Sequence, residues 1–420
     1  MVRNASALMA STVATAAAGF LFWVVAARFF PAATVGRASA LISAMTLLAA
    51  LAQLNLVSLF ARFLPTAGHR TRWIVFGGYA ASAGMALLMA AGYLGFGLGT
   101  GTAGTSVPLF VLAVVAGAQL FIQDGVLAAL GKAVWVPVKN ALLAGLRLTL
   151  LVALASGATA GRIFVAWAAP AIAVALVVVY WVVFRLVPAH GRTPAGPAGG
   201  GIASFVSAEY VNGLISNAVS FVPPVLVATA LGDVASAHFY LPWIMGVSVT
   251  TLLWNLVTSY VVTASGSKAA SGAHNPRAHL DRLVRLGLLV VVPSALVLTL
   301  APGPLLRIFG PEYAAEGATA LRLIGLALPC TAVVLLYAAF ATMAKRMWPL
   351  AAVQLTAATV FLAGAALGVG PLGTTGPALA YLVAQAGAAL LVLPAVVRHH
   401  RAATAATAVT PVPVVAGGTP

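Results

Sequence analysis

Charge is what this sequence has least of. Only 7% of the 420 residues are charged, whereas a soluble domain normally carries about a quarter. Just six of the charged residues are Asp or Glu, and 62% of the chain is hydrophobic. Because there are too few charged residues to form a water-exposed surface, the composition excludes an ordinary soluble protein.

Groups that bind metals and nucleotides are scarce too. The single cysteine, Cys330, excludes a disulfide within the chain. No Cys/His spacing typical of zinc sites and no Gly-rich strand–helix turn typical of nucleotide sites is present. The net charge of +16 is spread over short loops rather than along a basic stripe with interleaved aromatics, which does not favour nucleic acid as a partner. We expect no cofactor, no metal and no nucleic acid.

Long apolar runs are what the sequence has in abundance. Each is about 20 residues long, enough to cross about 30 Å of hydrocarbon as a helix. The pattern predicts an all-α polytopic membrane protein of about 12 transmembrane helices. The first run, from Ala5 to Ala27, is too long for the apolar part of a signal peptide and is expected to remain as the first helix. The predicted spans are 5–27, 38–61, 73–97, 107–130, 137–157, 163–187, 204–229, 236–262, 282–301, 316–343, 347–369 and 374–397.

Basic residues predict the orientation of these spans. With the N-terminus inside, sixteen Lys and Arg residues fall on the cytoplasmic side and four on the outside, the asymmetry expected of an inner-membrane protein with both ends in the cytoplasm. The inner set is Arg3, Arg62, Arg70, Arg72, Lys132, Lys139, Arg185, Arg192, Lys268, Arg277, Arg282, Arg285, Lys345, Arg346, Arg398 and Arg401. The outer set is Arg28, Arg37, Arg162 and Arg307.

A Pro- and Gly-rich stretch divides the spans into two groups of six. It predicts a cytoplasmic linker at 188–203, between an N-terminal lobe at 1–187 and a C-terminal lobe at 204–398. Residues 399–420, rich in Ala, Thr, Pro and Val, are expected to form a disordered cytoplasmic tail.

The two halves also share a local pattern. Cations, then Trp, then Pro precede span 5 at Lys132, Trp135 and Pro137, and span 11 at Lys345–Pro349. Interfacial residues alone can produce such a pattern. The equal span counts favour a duplication, and an even number of spans gives both copies the same orientation, that is, a parallel repeat.

Polar side chains in the spans suggest where a substrate binds. Gln53 in span 2, Asn212 in span 7 and Asn255 in span 8 lie on helix faces with further Ser and Thr residues, and we treat them as candidate substrate-binding residues. Glu209 in span 7 is a candidate for ion coupling. The alternative is that these groups only join helices by hydrogen bonds.

Two charges lie deep within neighbouring spans. Arg147 is in span 5 and Asp124 is in span 4. Either the two neutralise each other, or Arg147 faces a cavity and binds substrate while Asp124 is available for ion coupling.

Several stretches resemble the polysaccharide flippases of the multidrug/oligosaccharidyl-lipid/polysaccharide superfamily. They extend from Gly19-Phe20-Leu21 through Ala27-Arg28-Phe29-Phe30-Pro31 and Val35-Gly36-Arg37-Ala38-Ser39-Ala40-Leu41 to Arg62-Phe63-Leu64-Pro65. A second patch is Arg307-Ile308-Phe309-Gly310-Pro311-Glu312-Tyr313, followed by Ala320-Leu321-Arg322. The similarity in pattern covers roughly residues 1–398.

This resemblance implies a transporter of undecaprenyl-pyrophosphate-linked oligosaccharides, not an enzyme, with two six-helix lobes around a cationic cavity. Helices 1, 2, 7 and 8 would line the cavity. Arg28 and Arg37 would be cavity cations near the outer gate, and Arg62 would lie at the inner gate. Polysaccharide polymerases or glycosyltransferases would be its protein partners.

Other function classes stay open at this point. A cation-coupled multidrug or metabolite exporter of the same superfamily would use Glu209 or Asp124. A membrane-embedded sugar polymerase or ligase would need catalytic groups on a sizeable outer loop, and the predicted outer loops are short. A structural scaffold in an assembly complex is a fourth interpretation.

Overall fold

In the computed structural model, residues 17–64, 67–97, 105–157, 159–190, 202–270, 276–344 and 347–408 are described, and nearly all of them are helical. Only the backbone is described at 58, 61, 62, 202–212, 259, 262–270, 276–279 and 400–408. The N-terminal half contains α1 (Ala17–Phe29), α2 (Ala32–Ala52), α3 (Leu56–Phe63), α4 (Thr71–Gly95), α5 (Val107–Ala129), α6 (Trp135–Ala153), α7 (Ala160–Trp181) and, after a π-helical turn (Val182–Leu186), α8 (Val187–His190).

The helices of the C-terminal half are α9 (Ile202–Leu231), α10 (Asp233–Ala270), α11 (Pro276–Leu300), α12 (Pro302–Arg307), α13 (Pro311–Met343), α14 (Met347–Leu372) and α15 (Thr375–Ala408). The predicted linker at 188–203 overlaps α8 at its start and α9 at its end, and its residues 191–201 lie outside the described part.

The helices confirm the all-α polytopic prediction. Eleven described helical segments are long and apolar enough to cross a membrane, and the described part of the first span adds a shorter apolar helix at Ala17–Phe29. Each predicted span coincides with one of these twelve segments, because runs of about 20 apolar residues are stable in lipid only when a helix satisfies their backbone groups.

The second span departs from the prediction of one helix over 38–61. Pro31, with φ fixed near −58°, precedes α2, which therefore begins six residues early. The chain then breaks at Gln53–Asn55, where Leu54 and Asn55 both adopt left-handed φ angles near 50° before α3 begins. Two consecutive left-handed residues interrupt the helix, so span 2 consists of two helical pieces.

The predicted disordered tail is also partly wrong. Helix α15 continues to Ala408, about ten residues into the stretch 399–420. Alanine has the highest intrinsic helix propensity, so the Ala-rich sequence extends the last helix. Residues 409–420 lie outside the described part.

The helices form two lobes that meet face to face. Contacts join α2, α4, α5, α6 and α7 to one another in the N-lobe (17–190), and α9, α10, α11, α13, α14 and α15 in the C-lobe (202–408). Between lobes, α2 packs on α9 and α10, and Trp23 of α1 contacts Tyr240 of α10. Spans 1 and 2 therefore meet spans 8 and 7, the pairing expected of two equivalent halves around a twofold axis.

The hydrophobic core shows where the lobes are closed. One buried cluster contains residues of both lobes, including Phe22, Val35 and Ala38 with Leu241 and Phe309. These residues lie towards the end that the charge distribution assigns to the outside. The other buried clusters of the described part each belong to one lobe. The lobes are joined at this outer end.

Candidate functional site: a polar wall, a deep arginine and an outer closure

One face of α10 changes from apolar and buried to polar and exposed along its length. Ala237 and Leu241 are fully buried in the core shared by the lobes. At 3.6 residues per turn, Ser248, Thr251 and Asn255 continue the same face towards the inner end, and all three are exposed. At its outer end, this face of α10 packs on the N-lobe. At its inner end, where the lobes share no buried cluster in the described part, the same face presents polar groups.

These polar groups are available to a ligand to different degrees. The hydroxyls of Ser248 and Thr251 donate to the carbonyls of Ile244 and Val247, four residues earlier. Asn255 makes no hydrogen bond to any other described residue. Its amide can therefore both donate to and accept from a polar ligand.

Arg147 lies in a pocket of about 270 Å³ between α1, α6 and α7. Its Cζ is 3.8 Å from the centroid of the Trp167 ring, and its Nε donates to the Trp167 carbonyl at 3.1 Å. Stacking and this one hydrogen bond fix the plane of the guanidinium. Its two Nη groups make no hydrogen bond to a described residue, so they remain free to bind an anion.

The same pocket contains a polar side chain that sequence reasoning did not single out. Asn140 lines it and precedes Arg147 by seven residues, two turns along the same face of α6. Its spacing from Arg147 was the signal that could have identified it.

Aromatic rings connect this pocket to the other lobe. Trp23 lies 4.5 Å from Tyr240 and 6.1 Å from Trp167, measured between ring centroids. Phe22 lies 5.1 Å from Trp167. Arg147 therefore lies close to the junction of the lobes, at the level of an aromatic layer that links α1, α7 and α10.

An ion pair joins the lobes beyond this layer. Both Nε and Nη2 of Arg37 contact Oδ2 of Asp233, at 2.8 Å and 2.7 Å. Beside it, Gly36 lies so close to α10 that an added Cβ would be 1.7 Å from the Asp233 carbonyl oxygen. The helices touch backbone to backbone, which only a residue without a side chain permits.

Arg28 makes a second bridge between the lobes. Its Nε and Nη2 donate to the carbonyls of Ile308 and Arg307, at 2.7 Å and 3.0 Å. These carbonyls end α12, where the helix dipole favours a cation. Arg28 and Arg37 were expected to be cavity cations near the outer gate, and both instead bind C-lobe groups across the closed outer end.

The predicted pairing of Asp124 with Arg147 is wrong. Asp124 forms a salt bridge with Lys139 at 2.5 Å. At 1.5 Å per residue, Asp124 and Lys139 both lie about 6–8 Å from the inner ends of α5 and α6, whereas Arg147 lies about 18 Å deep. The carboxylate thus meets the cation at its own depth, and this salt bridge argues against Asp124 as an ion-coupling group.

The remaining candidates are only partly placed. Gln53 ends α2 at the break in span 2 and is half-buried. Arg62 lies on α3, and Glu209 and Asn212 lie on α9, but the side chains of these three lie outside the described part. In the described residues, no group of three or more His, Cys, Asp or Glu side chains could hold a metal ion.

Comparison with known proteins gives similarity in structure only. No protein-family profile and no curated protein matches the sequence. The inward-facing form of a multidrug-resistance MATE-family transporter of the MOP superfamily superposes with a TM-score of 0.66 at 15% identity, covering 93% of this chain and 96% of that one.

Two further structures extend the similarity. The lipid II flippase MurJ, in an inward closed conformation, gives a TM-score of 0.68 at 12% identity, covering 94% of this chain and 89% of that one. A MOP-superfamily transporter from Pyrococcus furiosus, noted for the reverse polarity of its binding pocket, gives 0.62 at 12% identity, with 94% of both chains covered. The chain is thus a multi-pass membrane protein with the fold of the MOP-superfamily transporters.

Proposed function

We propose that this protein is a flippase that moves a polyprenyl-pyrophosphate-linked oligosaccharide from the inner to the outer leaflet of the cytoplasmic membrane. The observation that carries the proposal is Arg147, whose Nη groups are free and whose guanidinium plane is fixed against Trp167. A fixed guanidinium matches the bidentate geometry of a phosphate. An unpaired cation this deep in a membrane protein is costly unless a function retains it.

The groups around Arg147 suit the rest of such a substrate. The pyrophosphate would bind the Nη groups, with the amide of Asn140 beside it in the same pocket. The sugars would face Ser248, Thr251 and Asn255 on α10, which offer donors and acceptors. Trp254, 44% exposed next to Asn255, adds an aromatic surface for a sugar ring.

Alternating access supplies the translocation step. The outer end is closed by Arg37–Asp233, by Arg28 on the end of α12 and by the contact at Gly36. Separation of these contacts, with closure at the inner end, would expose the substrate to the outer leaflet. An inside-negative potential favours outward movement of an anion by about 2.3 kcal/mol per charge per 100 mV.

The orientation within this proposal follows from the basic loops. Both termini are placed in the cytoplasm, so the described inner-side residues Lys132, Arg185 and Arg285 face the leaflet in which the lipid-linked sugar is made. Polysaccharide polymerases or glycosyltransferases would act on the substrate before or after translocation.

A cation-coupled exporter is the second candidate, because multidrug transporters share the fold. It would need an acidic group in a span that is free to bind a cation. Asp124 is engaged by Lys139, so Glu209 would have to serve. The available arginine at the lobe junction favours an anionic substrate instead.

Substitution of Arg147 tests the proposal. Arg147→Ala removes charge-assisted hydrogen bonds worth about 1.5–3 kcal/mol, so we expect export of lipid-linked sugar to fall roughly 10- to 100-fold at normal protein levels. The matched control is Arg322→Ala, since Arg322 is an exposed arginine on α13 and its loss should leave export unchanged. Normal export by Arg147→Ala would overturn the assignment.

A further inference from the structure

The C-lobe contains an apolar groove that the proposed function does not yet use. It has a volume of about 310 Å³ and lies between α10, α11 and α13. All fourteen residues that line it are apolar, among them Leu256, Gly287, Val291, Pro329 and Val333. No side chain that lines it can bind a sugar or a phosphate, so the groove suits a hydrocarbon chain.

The shape of the groove depends on small and kinked positions. Gly287 has open space where a side chain would lie, since an added Cβ meets no atom within 4 Å. Pro329 lies within α13, and a proline inside a helix removes a backbone hydrogen bond and bends the helix axis. Together they leave a recess that a methyl-branched chain can enter.

The groove adjoins the polar wall of the cavity. Successive residues of a helix are turned by about 100°, so Leu256 projects about a quarter-turn around α10 from Asn255. One helix therefore presents hydrogen-bonding groups on one face and hydrocarbon on the next. A molecule with a polar head and an apolar tail matches both faces at once.

Arg285 lies on α11 beside the inner end of the groove, outside the residues that line it. Arg285 is exposed and precedes Leu288 and Val292 by three and seven residues, which places it on the same side of α11. It is five residues into the span that begins at Leu280, so its side chain can extend to the level of the lipid head groups. This charge complements an anionic head on the lipid that occupies the groove.

We infer that this groove is the docking site for the prenyl chain of the substrate, with the phosphate held by Arg285 when the lipid arrives from the inner leaflet. The inference rests on the proposed function and deepens it, because it assigns a place to the lipid tail. From this position the sugars reach Ser248, Thr251 and Asn255 around α10, and the pyrophosphate then passes to Arg147.

The test measures binding of undecaprenyl phosphate, which has the tail and a phosphate but no sugar, to the purified full chain in nanodiscs. Gly287→Leu fills the groove. Gly77→Leu is the matched control, because Gly77 on α4 is exposed and an added Cβ there also meets nothing within 4 Å. We expect Gly287→Leu to weaken binding roughly tenfold, or about 1.4 kcal/mol, with the control and the thermal unfolding temperature unchanged.

Two further measurements identify the ligand. Arg285→Ala should weaken the binding of undecaprenyl phosphate and leave the binding of uncharged undecaprenol unchanged. Excess phosphatidylglycerol should not displace the prenyl lipid. Equal binding by the Gly287→Leu and Gly77→Leu variants, or equal competition by phosphatidylglycerol, would overturn the docking site. The binding assay needs neither sugar nor transport, so it tests the docking site alone. The export assay with Arg147→Ala tests the proposed function independently.

Discussion

Gly36 controls how closely the two lobes approach at the outer end. In the closed arrangement, an added Cβ would lie 1.7 Å from the Asp233 carbonyl oxygen and 2.8 Å from the Ala237 backbone nitrogen. Both atoms belong to the backbone, so no flexible side chain can move aside. Gly36→Ala must therefore separate α2 from α10, and overpacking of this kind costs about 1–3 kcal/mol.

This cost falls on the closed state alone. In an outward-open state the lobes would be apart at Gly36 and the clash would be absent, whereas the higher helix propensity of alanine, worth about 1 kcal/mol, stabilises α2 equally in both states. We expect Gly36→Ala to shift the population towards the outward-open state by roughly 5- to 150-fold. Loss of the Arg37–Asp233 pair, whose side chains are 54% and 28% exposed, should have a smaller effect of about 0.2–1 kcal/mol.

Labelling of a buried position measures the shift. Ser236 is fully buried beside Gly36, so Ser236→Cys, in a chain with Cys330→Ala, should react with a membrane-impermeant maleimide only when the outer end opens. We expect faster labelling with Gly36→Ala than with Arg37→Ala, and no change with the control Gly77→Ala, where a Cβ meets open space. Equal labelling rates with and without Gly36→Ala would refute the outer closure.

Two further substitutions test the groups inside the lobes. Lys139→Met leaves Asp124 without its partner; the cost should be about 1–3 kcal/mol, less than for a fully buried pair, because the Asp124 side chain is 39% exposed. Thermal unfolding in detergent should show a lower midpoint, with Lys139→Met/Asp124→Asn recovering most of it, and an unchanged midpoint in the single variant would contradict the pairing. Asn255→Leu should reduce export of lipid-linked sugar several-fold without changing the unfolding midpoint. The control is Thr356→Leu, on an exposed face of α14, which should leave export unchanged. Normal export by Asn255→Leu would show that the sugar does not bind this face of α10.

The spans could be predicted from the sequence because each depends on a local property. A run of about 20 apolar residues can cross lipid only as a helix. The break in span 2 at Gln53–Asn55 could not be predicted in this way, because it contains neither Gly nor Pro. Asn55 is a weak local signal, since Asn adopts left-handed φ angles more often than other residues with a side chain, but Leu54, which is also left-handed, gives none.

The site could be predicted less completely, because its contacts join distant parts of the chain. Asp233 lies 196 residues after Arg37, and nothing local indicates that they meet. Arg28 binds carbonyl groups, which every residue carries, so its partners leave no trace in the sequence. Arg147 could be identified as a deep charge, but its ring partner Trp167 resembles any other aromatic residue in a span.

The depths of the charged residues along their helices indicate which of them form a pair. Asp124 and Lys139 lie at similar distances from the inner ends of their helices, and Arg147 lies about eight residues, or roughly 12 Å, deeper than Lys139. Comparison of depths, in addition to neighbouring spans, identifies the correct pair. It also leaves Arg147 without an acidic partner among the described residues, and the proposed function depends on this feature.

The most direct test of the central claim is the sidedness of lipid-linked oligosaccharide in cells from which this gene has been removed. Intact spheroplasts would be treated with an impermeant probe or glycosidase that reaches only the outer leaflet. Accumulation of protected lipid-linked sugar, reversed by the wild-type gene but not by Arg147→Ala, is the predicted result. Accumulation on the accessible face, or no accumulation at all, would contradict a flippase.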